Sequence, residues 1–467
     1  MNRKAAWHGL WPWLCAASVA LSLLLLGLLL TLLLTRGLGH FWPAPLEAVT
    51  LTSGETFAGE VIREAELPDR SGQERLYFIG NRDNSAQDSH GTRFRWVSLD
   101  TILKREAPAQ LVRLSRSPWG DFIGQLEAFE HSGQRLEDNA AWQALSQALA
   151  QPKNARPNAR LTLRPLNGEA FIQPLAEVYR ASRPNAMSWL SKVRYWADGV
   201  GRFLSQGPRA ANTGGGVWPA IFGTVVMVIV MSVIVMPFGV LAAIYLNEIA
   251  QQHRFTRLVR IGVRNLAGVP SIVYGVFGLG AFVYGIGATV DEWFFSASLP
   301  SPTFGTGGLL WASLTLSLLT LPVVIVATEE GLARIPDAQR EGAVALGATR
   351  LETLTRVVLP MAAPAMLTAL ILAVARAAGE VAPLMLVGVA KLAPQVPVDA
   401  TFPYLHLERK FMHLGYHLFD TAFHGDSVQA AIPLVYATAL LLVLIVLVLN
   451  LTAIFLRHYL RRKRATT

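Results

Sequence analysis

Apolar residues along this chain gather into six long runs separated by polar segments of very unequal length. A hydrocarbon layer about 30 Å thick takes about 20 residues of helix to cross. The first run, residues 14–34, is leucine-rich and free of charge. From about residue 40 to 213 no stretch meets that length. Five more runs follow, at 217–246, 266–290, 308–328, 361–389 and 431–456. The pattern predicts an all-α polytopic bundle of six transmembrane helices, with a large insert between the first and second. Arg3 and Lys4 precede the first run, as in a signal peptide. Its apolar stretch exceeds the usual h-region of about 7–15 residues, however, and no small-x-small cleavage site follows, so an uncleaved anchor is expected.

The insert has a different rhythm. Ala48-Val-Thr-Leu-Thr-Ser-Gly-Glu-Thr-Phe alternates β-branched and polar residues around a glycine, and Arg75-Leu-Tyr-Phe-Ile and Arg93-Phe-Arg-Trp-Val continue it. Near Asn139 the spacing turns helical, and it does so again over 186–204. A small β barrel or sandwich over about 46–130, followed by helices, is expected: an α+β domain. The implied organisation is an anchor over 1–36, the insert over 37–213 and a bundle over 214–467.

Charge sets the expected orientation. Arg254, Arg257, Arg260 and Arg264 lie between runs two and three. Arg334, Arg340, Arg350 and Arg356 lie between runs four and five, and Arg457, Arg461, Arg462, Lys463 and Arg464 close run six. The loop between runs three and four carries Asp291 and Glu292 instead. An excess of Lys and Arg marks cytoplasmic loops, which places both termini inside and the insert outside. Composition agrees: the 467 residues are 52% hydrophobic and only 16% charged, against about 25% in soluble chains. The net charge of +9 sits beside apolar runs, where membrane lipid explains it, and no nucleic-acid motif accompanies it. The single cysteine, Cys15, excludes an intramolecular disulfide.

Two stretches carry candidate chemistry. Between runs four and five, residues 335–360 start a helix after Pro336, allow a sharp turn at Gly347 and resume as a second short helix over 351–358, before Pro360 leads into run five. Small residues on one side, with exposed Arg340 and Glu341, make a knob suited to another protein's groove. Within run five, Arg376 and Glu380 are four apart, hence on one helical face about 6 Å apart. An ionised residue in a bilayer costs about 2.5–3.5 kcal/mol, so the pair should face the bundle interior. There it serves either an anionic ligand, for which guanidinium suits phosphate oxygens, or a structural ion pair. His406, His413, His417 and His424 cluster after run five without a completing metal set and are expected at the surface. Glu329 and Glu330 are expected to be solvated or paired with Arg334, and Asn247 and Glu248 to cap run two. No metal site, no cofactor site and no Ser-His-Asp or Cys-His constellation is found. No Gly-Lys dipeptide occurs, so the phosphate-binding loop of an ATPase is missing.

Glu341, Gly342, Ala343, Gly347, Val357, Leu359 and Pro360 stand at the spacing of the EAA loop, so the chain resembles ABC importer permeases, with Gly342 where alanine is usual. The stretch Arg376-Ala-Ala-Gly-Glu380-Val-Ala-Pro-Leu is similar to the signature of PstA-type phosphate permeases. So are Pro237-Phe-Gly-Val, Ile244-Tyr-Leu-Asn-Glu248, Val269-Pro-Ser-Ile-Val-Tyr-Gly275 and Gly214-Gly-Gly. The likeness covers about 213–457; the anchor and insert lie largely outside it. Val381 stands where threonine is common. The resemblance implies a non-catalytic permease subunit of a bacterial inner-membrane phosphate importer. Its segment 329–360 would dock on an ATPase, with Arg340, Glu341, Gly342, Ala343, Gly347, Leu359 and Pro360 as coupling residues, and Arg376 and Glu380 would line the pathway. The implied partners are a sister permease of PstC type, a PstB-type ATPase dimer and a periplasmic PstS-type phosphate-binding protein. Import of another oxyanion, molybdate or sulfate, and a membrane-anchored sensor built on the insert remain as alternatives.

Overall fold

A computed structural model of the chain describes residues 10–66, 73–80, 94–117, 120–209, 214–251, 253–393, 395–424 and 428–465. The chain divides into two compact units, residues 41–202 and residues 1–40 with 203–467. Arg93 at the head of one expected strand, like Arg3 and Lys4, lies outside the described residues.

In the second of these units, six helices among the described residues are long and apolar enough to cross a membrane. They are span one (Trp11–Gly39), span two (Trp218–Ile249), span three (Ser271–Phe294), span four (Leu309–Ala333), span five (Arg350–Gly379) and span six (Ala431–Tyr459). Span four is the axle: 67% of its most apolar window is buried, against 28% for spans two, three and five and 6% for spans one and six. Its serines and threonines allow this. Ser317 donates to Ser313 O (2.7 Å) and Thr320 to Leu316 O (2.8 Å), so small polar residues satisfy themselves on their own helix and present little bulk. Around it pack Met227, Met231 and Val235 of span two and Ala369, Ala373 and Ala377 of span five.

Span five departs from expectation at both ends. It runs unbroken from Arg350, so there is no separate short helix before it. Residues Thr353–Val358 wind as a wide π turn, in which Leu359 N–H reaches back five residues to Leu354 O. That wider turn takes up the bond and the space that Pro360 denies an α-helix. At the far end the helix stops at Gly379 and not near 389. Continuing it would drive the Pro383 ring into the carbonyl of Gly379, four residues back. Glu380 is therefore extended (φ −77°, ψ 132°), and Ala382–Val387 forms a separate short helix.

The 41–202 unit holds two antiparallel sheets. Strands β1 (Leu46–Leu51), β2 (Thr56–Glu66), β3 (Gln73–Phe78), β4 (Phe94–Ser98) and β5 (Ile102–Glu106) form the first, in the order β4-β3-β2-β1-β5. Leu46 lies opposite Glu60 and Thr50 opposite Thr56, which brings Val49, Phe57 and Tyr77 into one core. The second sheet has the order β10-β9-β7-β6-β11, from β6 (Val112–Arg116), β7 (Gly120–His131), β9 (Ala159–Arg164), β10 (Phe171–Pro174) and β11 (Val178–Ser182), with β8 (Gln134–Glu137) added to β7. Helix Asp138–Ala150 covers it through Ala141, Leu145 and Ala148. Strands β9 to β11 lie where only helix or coil was expected.

Candidate functional site

The 335–360 segment forms a hairpin whose turn is closed by backbone chemistry. Helix Asp337–Ala345 ends with Gly347 at φ +89°, Ala348 N–H bonded to Ala343 O (3.1 Å) and Gly347 N–H to Val344 O (2.9 Å). This left-handed C-terminal cap favours glycine. Thr349 then starts span five with a reciprocal cap: Thr349 Oγ1 accepts from Glu352 N–H (3.3 Å), and Thr349 N–H donates to Glu352 Oε2 (3.0 Å). Glu341, Gly342 and Gly347 are exposed and Ala343 half-exposed, while Leu359 and Pro360 are half-buried. Val344, Leu346 and Leu351 also stand out from the hairpin, Leu346 with 92% of its surface free.

Arg340 is not the outward-facing register residue expected. Its guanidinium folds back onto the ends of two spans. Nη1 donates to Ile335 O (2.6 Å) and Nη2 to Leu332 O (3.0 Å), the last carbonyls of span four and its exit. The same fork grips Glu248, Nη2 to Oε1 at 2.9 Å and Nε to Oε2 at 3.3 Å. Glu248 thus ties the hairpin to span two and is more than a cap. Glu329 is likewise buried, pairing with Arg260 and not Arg334, while Arg260 Nη2 reaches Leu246 O (2.9 Å). Sequence reasoning missed both clamps. The one available signal was the Tyr-Leu-Asn-Glu248 motif, read only as a helix-end cap.

Arg376 sits in the last turn of span five, and Glu380 lies just beyond it on extended backbone, so the two do not share a helical face. They still meet, Nε to Oε1 at 3.7 Å. Their side chains remain 32% and 21% exposed, and the pair is not closed off within this chain. Arg376 makes no hydrogen bond to another described residue, which leaves its donors open to a ligand. Tyr274 of span three lies within its electrostatic reach and is held by a hydrogen bond to Leu266 O (2.7 Å). Gly275 next to it lets span three close on the 382–387 helix: a Cβ there would sit 2.6 Å from Pro383 Cα.

The histidines are not surface residues, His424 excepted. His406 is buried between Asp399 (3.1 Å) and Glu408 (3.1 Å). Thr401 and Arg409 hold the Asp399 carboxyl well below the usual range. His413 and His417 are buried with helix Leu414–Phe423, where His413 Nδ1 accepts from Gly415 N–H (3.2 Å) as a cap. Burial pushes His413 down to about 3 and His417 to about 4. Among the described residues no group of three or more His, Cys, Asp or Glu side chains is placed to hold a metal.

The family model for the binding-protein-dependent transport system inner membrane component matches residues 235–466. Probable ABC transporter permease protein YqgH of Bacillus subtilis is 35% identical over 198 residues, 42% of this chain and 60% of that protein. Phosphate transport system permease protein PstA 1 of Mycobacterium tuberculosis is 31% identical over 282 residues, 60% of this chain and 82% of that protein. This chain is a PstA-type permease. The PstA of Yersinia pestis, at 31% identity over 252 residues, covers 54% of this chain and 75% of its own length. A PstA-type permease with six apolar helices is a multi-pass inner-membrane transport protein. Among solved structures, the inward-facing MetNI methionine ABC transporter aligns at 18% identity with a TM-score of 0.35, over 52% of this chain and 94% of that one, too loosely for residue-by-residue use.

Proposed function

We propose that this permease forms half of the translocation pathway of an ATP-driven importer for inorganic phosphate in the bacterial inner membrane. The arginine-rich ends of spans two, four and six face the cytoplasm, and the 41–202 unit lies outside. A sister permease closes the open face at Arg376. Two ATPase subunits receive the 335–349 hairpin, and an external binding protein delivers phosphate.

One observation carries the proposal: a single continuous helix, Arg350–Gly379, has the exposed Leu351 at one end and the open Arg376 near the other. Twenty-five residues at 1.5 Å each separate them by about 37 Å, the depth of a bilayer. A rigid rod converts displacement of the hairpin into displacement of the cation, as alternating access requires. Glu341, Gly342, Ala343 and Gly347 form the docking knob at the tip, while Leu359 and Pro360 follow directly on the wide turn at the rod's base. Arg340 clamps the knob to spans two and four. Arg376 offers its guanidinium to a phosphate oxyanion, and Glu380 competes for it when the pathway empties.

The phosphate assignment draws on the named function of the PstA relatives and on the chemistry of a guanidinium with no hydrogen-bonded partner among the described residues. The test is to purify the chain with its neighbouring subunits and binding protein and to measure phosphate-stimulated ATP hydrolysis. Absence of stimulation by phosphate, or equal stimulation by molybdate or sulfate, refutes the assignment.

A further inference from the structure

At the hairpin end of the bundle, spans four, five and six enclose an open cavity of ≈ 410 Å³. Arg334, which caps span four, and Arg457 of span six both line it. Arg457 is held there by a hydrogen bond from Nη1 to Thr368 Oγ1 (3.0 Å), and Thr368 spends its own proton on Pro364 O (2.8 Å). The other Arg457 donors stay available. No carboxylate is among the described residues that line the cavity, and neither arginine has an ion pair with a described residue. Two cations facing one space without a counter-ion repel each other unless an anion enters. Arg260 and Arg340 at the same end of the bundle are paired with glutamates, whereas Arg334 and Arg457 share one cavity wall.

The surroundings say which anion. Arg457 falls near the end of span six, at the depth where apolar helix meets headgroups. Met361 lines the cavity, and Leu372 of span five and Leu447, Leu451 and Ile454 of span six are exposed on the helices that wall it, apolar surface for acyl chains. We infer that this cavity binds the phosphate headgroup of an anionic phospholipid. Ile335 and Pro336 also line it, so a bound headgroup braces the joint where span four turns into the hairpin. Placement in the cytoplasmic leaflet rests on the orientation proposed above.

The same two arginines could recognise free inorganic phosphate, and the experiment separates the two sources. The complex, purified with its neighbouring subunits in neutral detergent, is titrated with phosphatidylglycerol, phosphatidylcholine or inorganic phosphate while its thermal midpoint is followed. Phosphatidylglycerol is expected to raise the midpoint and the other two to leave it unchanged. The double variant Arg334→Gln/Arg457→Gln should need roughly 30-fold more phosphatidylglycerol for the same rise. Met361→Glu keeps both arginines and sets a carboxylate at an exposed position of the cavity wall; it should weaken the response in the same direction. An unchanged response in either variant overturns the inference, as does a rise produced by inorganic phosphate alone. Intact phosphate-stimulated ATP hydrolysis with no phosphatidylglycerol response would strike this site and spare the transport assignment. The opposite pattern would strike transport and spare the site.

Discussion

Removing the clamp between Arg340 and Glu248 should loosen the hairpin without unfolding the bundle, and the structure sets the size of the effect. The side chains are 21% and 17% exposed and meet through two contacts, 2.9 and 3.3 Å. Unit charges about 3 Å apart attract by about 5 kcal/mol at an effective dielectric of about 20, most of it offset by desolvation. Hydrogen bonds to charged groups retain about 1.5–3 kcal/mol net. A coupling of about 2 kcal/mol is therefore expected, a factor of about 30 in the opening equilibrium. Arg340→Met loses more than the coupling, because Ile335 O and Leu332 O also lose the guanidinium bonds, while Glu248→Gln loses the charge alone. Hydrogen exchange at the Leu346 and Ala348 amides, bonded to Gly342 O and Ala343 O, reads local opening in the two single variants and the double. Non-additivity near 2 kcal/mol supports the clamp. Single effects that add to within about 0.5 kcal/mol would mean that the pair does not hold the hairpin.

Four further outcomes follow from the same geometry. Arg376→Gln should abolish phosphate uptake while the complex still assembles, and normal uptake in vesicles would remove Arg376 from the pathway. Gly347→Val forces a β-branched residue to φ +89° and should cost about 1–2 kcal/mol locally, seen as faster exchange at Ala348, whereas Gly347→Asn should be tolerated. His413 and His417 bind protons less readily folded (about 3 and 4) than unfolded (6.5), so their contribution is intact above about pH 6.5 and is lost as pH falls toward those values. The loss is about 1.4 kcal/mol per pH unit for each, and His417→Leu should flatten the fall of the thermal midpoint between pH 7 and 5; an unaltered slope contradicts it. Deleting residues 45–200 should leave phosphate uptake largely intact, and loss of uptake in a correctly inserted variant would give the insert a part in transport.

The six spans were legible in the sequence because a bilayer imposes one requirement that reads directly as composition: about 20 apolar residues in a row. The spacing of Glu341, Gly347 and Pro360 was equally local, and the caps at Gly347 and Thr349 depend on residues within five positions of each other. The alternation in Ala159-Arg-Leu-Thr-Leu-Arg164, which buries Ala159, Leu161 and Leu163, is local too, but six residues beside a helical segment make a weak strand signal. What the chain's order could not disclose is which distant groups meet. Arg340 and Glu248 are 92 positions apart, Arg260 and Glu329 69 apart, and only the packing of spans two and four brings them together. Burial of His413 and His417 has the same origin, since a helix of ten residues takes its environment from the spans it lies against. The end of span five needed both levels: Pro383 dictates a break, but that Glu380 still reaches Arg376 across it is a fact of the folded chain. Hydropathy and caps act over a few residues and survive in one dimension, whereas ion pairing and desolvation act through space and exist only once the helices have packed.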